Sequence, residues 1–380
     1  MKKGGGVSLS VLFFLVIVIL PGKVQLPAQD GGIRVSGVLD SSVTVGTGAG
    51  DTPAFFYGLE EYANLRIQAR LRERAVFYGA FNFIAASGIS AEAAAALAPS
   101  AFAAGENYIA ALELERLYFR LNGEHLDVEA GLMRLAFGYG QAFSPMDFLN
   151  PRNPLSPDAR PRAVLGGALY YYPADTAKVL AFGAGPRNPF ASGGGGILAG
   201  ISGEQHWDKA SLQALYAFEA PDGAGQGTSR MGLSLKADLE VGVTADLLYA
   251  YNGEHSTPPA GGTGVEGLAA AAGVDYSFGE GRFYTLAEYL YSGSASSTST
   301  NSRNPSGFSR QNYLFTQILY RFSDYTNISL GCLTGFDDSS FSLLIGAEHE
   351  LFQGMKLSLS CRIPLDRSVF QLGVKAQLRF

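Results

Sequence analysis

The sequence predicts an all-β chain, a transmembrane antiparallel up-and-down β-barrel of about 18 strands (range 14–18). Three observations carry that prediction. Apolar and polar residues alternate with period two from residue 33 to the end. The connections between alternating runs are long and short by turns. Charged residues make up only 16% of the chain, against roughly 25% in ordinary soluble domains. Gly reaches 48 of 380, with 19 Tyr and 25 Phe. A surface wholly in water would need more charge.

At the N-terminus, Lys2 and Lys3 precede an apolar run from Val7 to Leu20, which Pro21-Gly22 breaks. The run is too short to cross a bilayer as a helix, and it suits the core of a secretory leader. We therefore expect residues 1–28, ending at Ala28, to be a removable signal peptide and 29–380 to form the barrel. The leader carries three lysines and no acid, so its loss takes the formal net charge from −6 to about −9. That balance argues against nucleic acid as a partner, because phosphate contacts call for a basic surface. No second long apolar run follows, which excludes helical spans. No cysteine follows the leader core to take a lipid.

The strand pattern is clear in three places. Leu65, Ile67, Ala69 and Leu71 alternate with Arg66, Gln68, Arg70 and Arg72. Met355, Leu357, Leu359, Cys361 and Ile363 alternate with Lys356, Ser358, Ser360 and Arg362. Phe370, Leu372, Val374, Ala376, Leu378 and Phe380 alternate with Gln371, Gly373, Lys375, Gln377 and Arg379. Successive strand side chains point to opposite faces, so each run has one apolar and one polar side. A one-residue slip in the first would aim its arginines at lipid, at roughly 2–4 kcal/mol each near the midplane.

Gaps after odd-numbered runs are mostly long: near 46–57, 87–106, 139–162, 186–196, 220–230, 252–266 and 292–311. The last two, near 335–340 and 366–368, are shorter. Gaps after even-numbered runs are all tight, near 73–74, 122–125, 173–176, 206–209, 239–241, 279–282, 323–325 and 352–354. A soluble sandwich has no reason to sort loops by parity. A spanning barrel does, because one rim has short turns and the other long loops, and lipid forces the sheet to close on itself. Aromatics fall where the rims belong. Tyr249, Tyr251, Tyr289 and Tyr291 precede long loops, while Tyr276, Phe278, Phe283, Phe322, Tyr325 and Phe352 flank short turns.

Val374, Ala376, Leu378 and Phe380 form a last strand of alternating hydrophobics ending in Phe. In this the chain resembles diderm bacterial outer-membrane β-barrels. The resemblance implies recognition by the barrel-assembly machinery and insertion among outer-membrane lipids. Residues 131–151, GLMRLAFGYGQAFSPMDFLNP, resemble a strand and loop of several porin-like channel families. Met133 and Arg134 depart from the usual Arg-Gln there, Phe137 replaces Trp, and Ser144-Pro145 replaces Asn-Pro.

A barrel of this size has a lumen wide enough for water unless something fills it. The candidate filler runs from Gly138 to Arg162 and holds Pro145, Pro151, Pro154, Pro157 and Pro161. Proline fixes φ and removes a donor, so the segment is an irregular, stiff loop. It carries Asp147, Arg152, Asp158, Arg160 and Arg162. Either it folds inward as a constriction or it is a stiffened surface loop; both readings stay open. The polar faces nearby offer Arg66, Arg70, Arg72, Glu113, Glu115, Arg116, Arg120, Asp127, Glu129 and Arg134 as pore-lining candidates. Alternation breaks at Glu115–Arg116 and at Met133–Arg134, which predicts a β-bulge at each place. The basic cluster predicts a mild local anion preference; a polar lumen of ion pairs without selectivity is the alternative.

The chain reads as no enzyme and calls for no metal or other cofactor. Its four histidines are scattered, and no Ser/His/Asp order or metal spacing stands out. Gly193–Gly196 lacks a following Lys-Ser/Thr and is a flexible loop rather than a phosphate cradle. Cys332 and Cys361 lie on apolar faces, with one strand between them, too far apart for a disulfide. The leading expectation is a porin-like channel for passive diffusion of small hydrophilic solutes. A substrate-specific transporter, such as one for hydrophobic compounds, and a non-conducting structural or adhesive barrel are the alternatives. A homo-oligomer is left open. For the transporter alternative, residues 29–33 are too short for a plug, although the Ala-rich stretch from Ala91 to Ala104 could form a short helix in a loop.

Overall fold

The computed structural model describes residues 32–48, 54–71, 74–91, 101–155, 160–185, 196–221, 227–252, 267–293, 312–337, 339–364 and 370–380. The expected leader, with its cleavage point, lies outside them. Nineteen strands are present. They are β1 (Ile33–Thr47), β2 (Phe55–Leu71), β3 (Ala75–Gly88), β4 (Ala101–Gly105), β5 (Tyr108–Asn122), β6 (Leu126–Met133), β7 (Val164–Ala174), β8 (Ala177–Ala184), β9 (Leu198–His206) and β10 (Ala210–Glu219). They continue as β11 (Thr228–Asp238), β12 (Gly242–Asn252), β13 (Leu268–Phe278), β14 (Phe283–Ser292), β15 (Asn312–Ser323), β16 (Thr326–Gly335), β17 (Ser340–Phe352), β18 (Met355–Pro364) and β19 (Phe370–Arg379).

Eighteen of these form one closed antiparallel cylinder. The seam is β1 on β19, with Val43 opposite Val374 and Ser41 opposite Ala376. Gly37 and Phe380 exchange backbone hydrogen bonds of 2.9 and 3.1 Å, tying the terminal aromatic to the first strand. The short β4 pairs only with β5, along the Tyr108–Ala111 stretch that β6 does not reach. Closure leaves no wall strand with an unpaired edge, as a sheet bathed in lipid requires.

The loop parity holds. The turns after β5, β7, β9, β11, β13, β15 and β17 are at most four residues long. Outer faces are apolar: Leu212, Tyr216 and Phe218 on β10, Leu233 and Leu235 on β11, and Ile328 and Leu330 on β16 are all exposed. A contiguous band of this kind fits acyl chains rather than water. Phe278, Phe283 and Tyr320 stack at one rim, with ring centroids 4.9 and 4.7 Å apart. Tyr249 and Tyr251 face outward near the other rim.

One expected bulge is present. Ala80 faces Arg116 and Phe81 faces Leu114, so Glu115 is the extra residue. The other is not. Met133 pairs in register with Val164 and the strand ends there, so the break at Arg134 marks the chain leaving the wall. The helix considered over Ala91–Ala104 is also corrected. Residues 89–91 are helical, but Ala101–Ala104 belong to β4, while 92–100 lie outside the described residues. Cys332 and Cys361 are free and outward, opposite Leu343 and Ile345 on the intervening β17.

Candidate functional site

The chain leaves β6 at Arg134, turns into the cylinder and rejoins the wall at Val164. What holds it inside is its own backbone. Between residues 138 and 143 no sheet partner is available, so each N–H needs another acceptor. The far wall supplies them. Gly138 donates to Gln213 Oε1 at 2.7 Å. Tyr139 donates to Ser234 Oγ at 2.9 Å and Asp246 Oδ1 at 3.2 Å, and Gly140 to Asp246 Oδ2 at 3.4 Å. Gln141, Ala142 and Phe143 all donate to the Glu288 carboxylate, at 3.1, 3.0 and 2.8 Å. Hydrogen bonds to an ionised acceptor are about twice as strong as neutral ones. Gly138 sits at φ +82, and a Cβ there would come within 2.5 Å of Asp246 Oδ2. Close approach to this carboxylate therefore demands glycine.

Side chains complete the docking. Leu135, Phe137, Met146 and Phe148 are buried against Val164, Leu180, Phe182, Leu215, Ala217 and Leu248, all on the inner face of β7–β12. Phe143 packs on Leu286, Leu290, Phe315 and Leu333 from β14–β16. The expectation of a polar lumen is thus corrected along the wall from β6 to β16, where hydrophobic clusters shared by the loop and the inner face surround buried polar anchors. Asp147 is buried within it, and burial pushes its carboxyl up to about 7 despite Arg152 and the Asn150 N–H.

The remaining inner wall runs from β17 across the seam to β5 and is polar. Lys375 pairs with Asp40 at 3.3 Å, and Lys356 lies 3.9 Å from Glu348. Arg116 and Arg134 lie 3.2 and 3.1 Å from the bulged Glu115, which also accepts from Asn64 Nδ2 at 2.6 Å. Arg116 stacks on Tyr78, with its guanidinium 4.7 Å from the ring centroid. One small apolar patch, with Ile84, Ala86, Ile109 and Ala111, interrupts this side.

The sequence candidates fall on both sides of this division. Arg66 and Arg70 have the inward register of β2, as do Glu113 and Arg120 on β5 and Asp127 and Glu129 on β6. Arg120 and Asp127 are spent on each other at 2.6 Å. Arg152 donates to the Gly140 carbonyl at 2.8 Å and so braces the loop. Arg160 pairs with Glu60 and lies 3.9 Å above the Tyr62 ring, clasping the returning leg to β2. The Arg162 backbone bonds to Asn150. Arg72 and Asp158 lie outside the described residues. Val374, Ala376 and Leu378 face outward on β19.

Sequence reasoning missed the anchors Gln213, Ser234, Asp246 and Glu288. Their one sequence signal is an isolated polar residue in a strand apolar on both faces, as in Val243–Tyr251 around Asp246.

No family model matches the chain, and no curated protein matches it. Solved structures match it in fold. OccK9 (OpdG) of Pseudomonas aeruginosa superposes with a TM-score of 0.58 at 11% identity, over 92% of this chain and 98% of that one. OccAB4 of Acinetobacter baumannii gives 0.57 at 10%, over 93% and 99%. OccAB3 of the same organism gives 0.55 at 11%, over 92% and 99%. The fold therefore defines the class, a closed 18-stranded antiparallel barrel, and these are among the proteins whose fold it shares.

Proposed function

We propose that the chain is an outer-membrane porin-like channel for passive diffusion of small hydrophilic solutes. One observation carries the reading: the inward loop packs against the β6–β16 side of the lumen and leaves the side from β17 to β5 polar and charged. That side is the proposed pore, and the loop its constriction. Export through a removed leader, lipid contact around the outer band and delivery by the barrel-assembly machinery through the terminal Phe380 strand complete the proposal. Arg66, Arg116, Arg134 and Arg160 outnumber Glu60, Glu113 and Glu115 where the loop meets β2 and β5, which favours a mild anion preference. The reading is of a channel and not of an enzyme.

A route for hydrophobic solutes is disfavoured because the apolar inner side chains are already packed against the loop. Planar-bilayer recording of the refolded full chain tests the proposal. We expect ohmic conductance, a reversal potential leaning to anions, and larger conductance when residues 144–158 are removed. A folded barrel that passes no current would refute it, and unchanged conductance in the deletion would refute the constriction.

A further inference from the structure

The outer wall carries one group that the channel reading does not use. Cross-strand pairing sets Ala376, Ser41, Glu61, Ala85 and Ala110 side by side in one row across β19, β1, β2, β3 and β5. Their register is outward, shared with the exposed Val43, Tyr57 and Phe83. Glu61 lies ten residues from Leu71 and four from Tyr57. In a strand tilted by about 40°, that places it roughly 10 Å below Tyr57, inside the apolar band. Among the described residues, no other Asp, Glu, Lys or Arg within a strand has the outward register. The Ser41 hydroxyl donates to Glu61 Oε1 at 2.7 Å, whereas Oε2 is shut off from water with no hydrogen-bond partner.

An ionisable group at this depth is costly, and an unmade hydrogen bond adds to the cost. Acyl chains offer no donor. The small neighbours Ser41, Ala85 and Ala376 leave the wall low, as close packing between membrane segments requires. We propose that this row is the contact of a two-fold homodimer in the membrane, in which the Glu61 carboxyl turns outward and hydrogen-bonds to the partner's Glu61.

A second copy is the occupant that depth selects. Copies related by an axis along the membrane normal hold every residue at the same height, so like meets like. A head-to-tail contact would need another donor at the height of Glu61. The outward imidazole and amides of His349, Gln205 and Asn312 all sit within three residues of a strand end, at the rims, and the mid-strand Thr316 hydroxyl has one hydrogen bond to give where a pair of carboxyls exchanges two. The interface is therefore isologous. When each carboxyl keeps its proton, the two exchange a pair of O–H···O hydrogen bonds, and the contact meets lipid with no net charge.

Disulfide trapping in native outer membranes tests it, in a full chain carrying Cys332→Ala and Cys361→Ala. Ala63→Cys or Ala85→Cys, oxidised with copper–phenanthroline, should give a linked dimer. Ala272→Cys, on the outer face of β13, should not. Adding Glu61→Leu should abolish the linked dimer. Glu61→Gln should keep it, because two amides pair as two carboxyls do. Unheated gel mobility reports whether each variant is a folded barrel. No dimer at either position, equal linking at Ala272→Cys, or a yield unchanged by Glu61→Leu would overturn the proposal. Conductance of Glu61→Leu should equal that of the parent, since Glu61 lies outside the lumen. Failure of the channel reading would therefore show separately, as absent current in the parent.

Discussion

On the inner face of β14, Leu290 is fully buried; on the inner face of β18, Ser360 is exposed. Both point toward the axis of the same cylinder. The difference is the loop after Arg134, which packs Phe143 into a hydrophobic cluster on one wall and reaches the other through ion pairs with Glu115 and Glu60. A barrel's interior is therefore not one environment. Where the loop docks, inner positions follow the rules of a protein core and unpaired polar atoms are costly. Where it does not, inner positions follow the rules of a wet surface and tolerate ion pairs of small net worth.

Substitutions on the two sides should accordingly fail in different ways. The largest effect is expected at the docked half. Glu288→Ala removes the acceptor of three buried loop N–H groups, each worth about 1.5–3 kcal/mol to an ionised partner. Thermal stability should fall by on the order of 5 kcal/mol, and single-channel current should become larger and noisier as the loop detaches. Quiet, parental currents would break the comparison.

Asp147→Asn should be smaller, and pH-dependent. Asp147 binds its proton more tightly in the folded protein than in the unfolded chain, since burial raises it to about 7 from 3.8. Stability therefore declines as pH rises from about 4 to about 7, and the full cost persists above that. The variant escapes the cost, so its melting temperature should exceed the parent's at pH 8 and match it at pH 4. The smallest stability effect is expected on the polar side. Arg134→Gln should change stability by less than about 1 kcal/mol, yet shift the reversal potential toward cations.

Much of the wall was legible in the sequence because strand physics is local. Alternation showed which residues face lipid, and loop parity pointed to closure and an even strand number within the range 14–18. The extra residue at Glu115 betrayed its own bulge. The break at Met133–Arg134 looked the same in sequence, although there the strand ends; telling them apart needs the partner strand. The lumen was less legible because its partners are distant. Gln141 and Glu288 are 147 residues apart, and nothing near either announces the other. The apolar inner faces of strands such as β10, with Leu215 and Ala217 opposite the outward Tyr216 and Phe218, were a local sign that something packs inside.

Cysteine accessibility tests the division of the lumen most directly. In a chain carrying Cys332→Ala and Cys361→Ala, Ala217→Cys lies under the loop and Ser360→Cys on the polar wall. A charged, water-soluble methanethiosulfonate should modify Ser360→Cys rapidly and lower its conductance, leaving Ala217→Cys unmodified. Equal modification of the two would contradict a half-filled barrel.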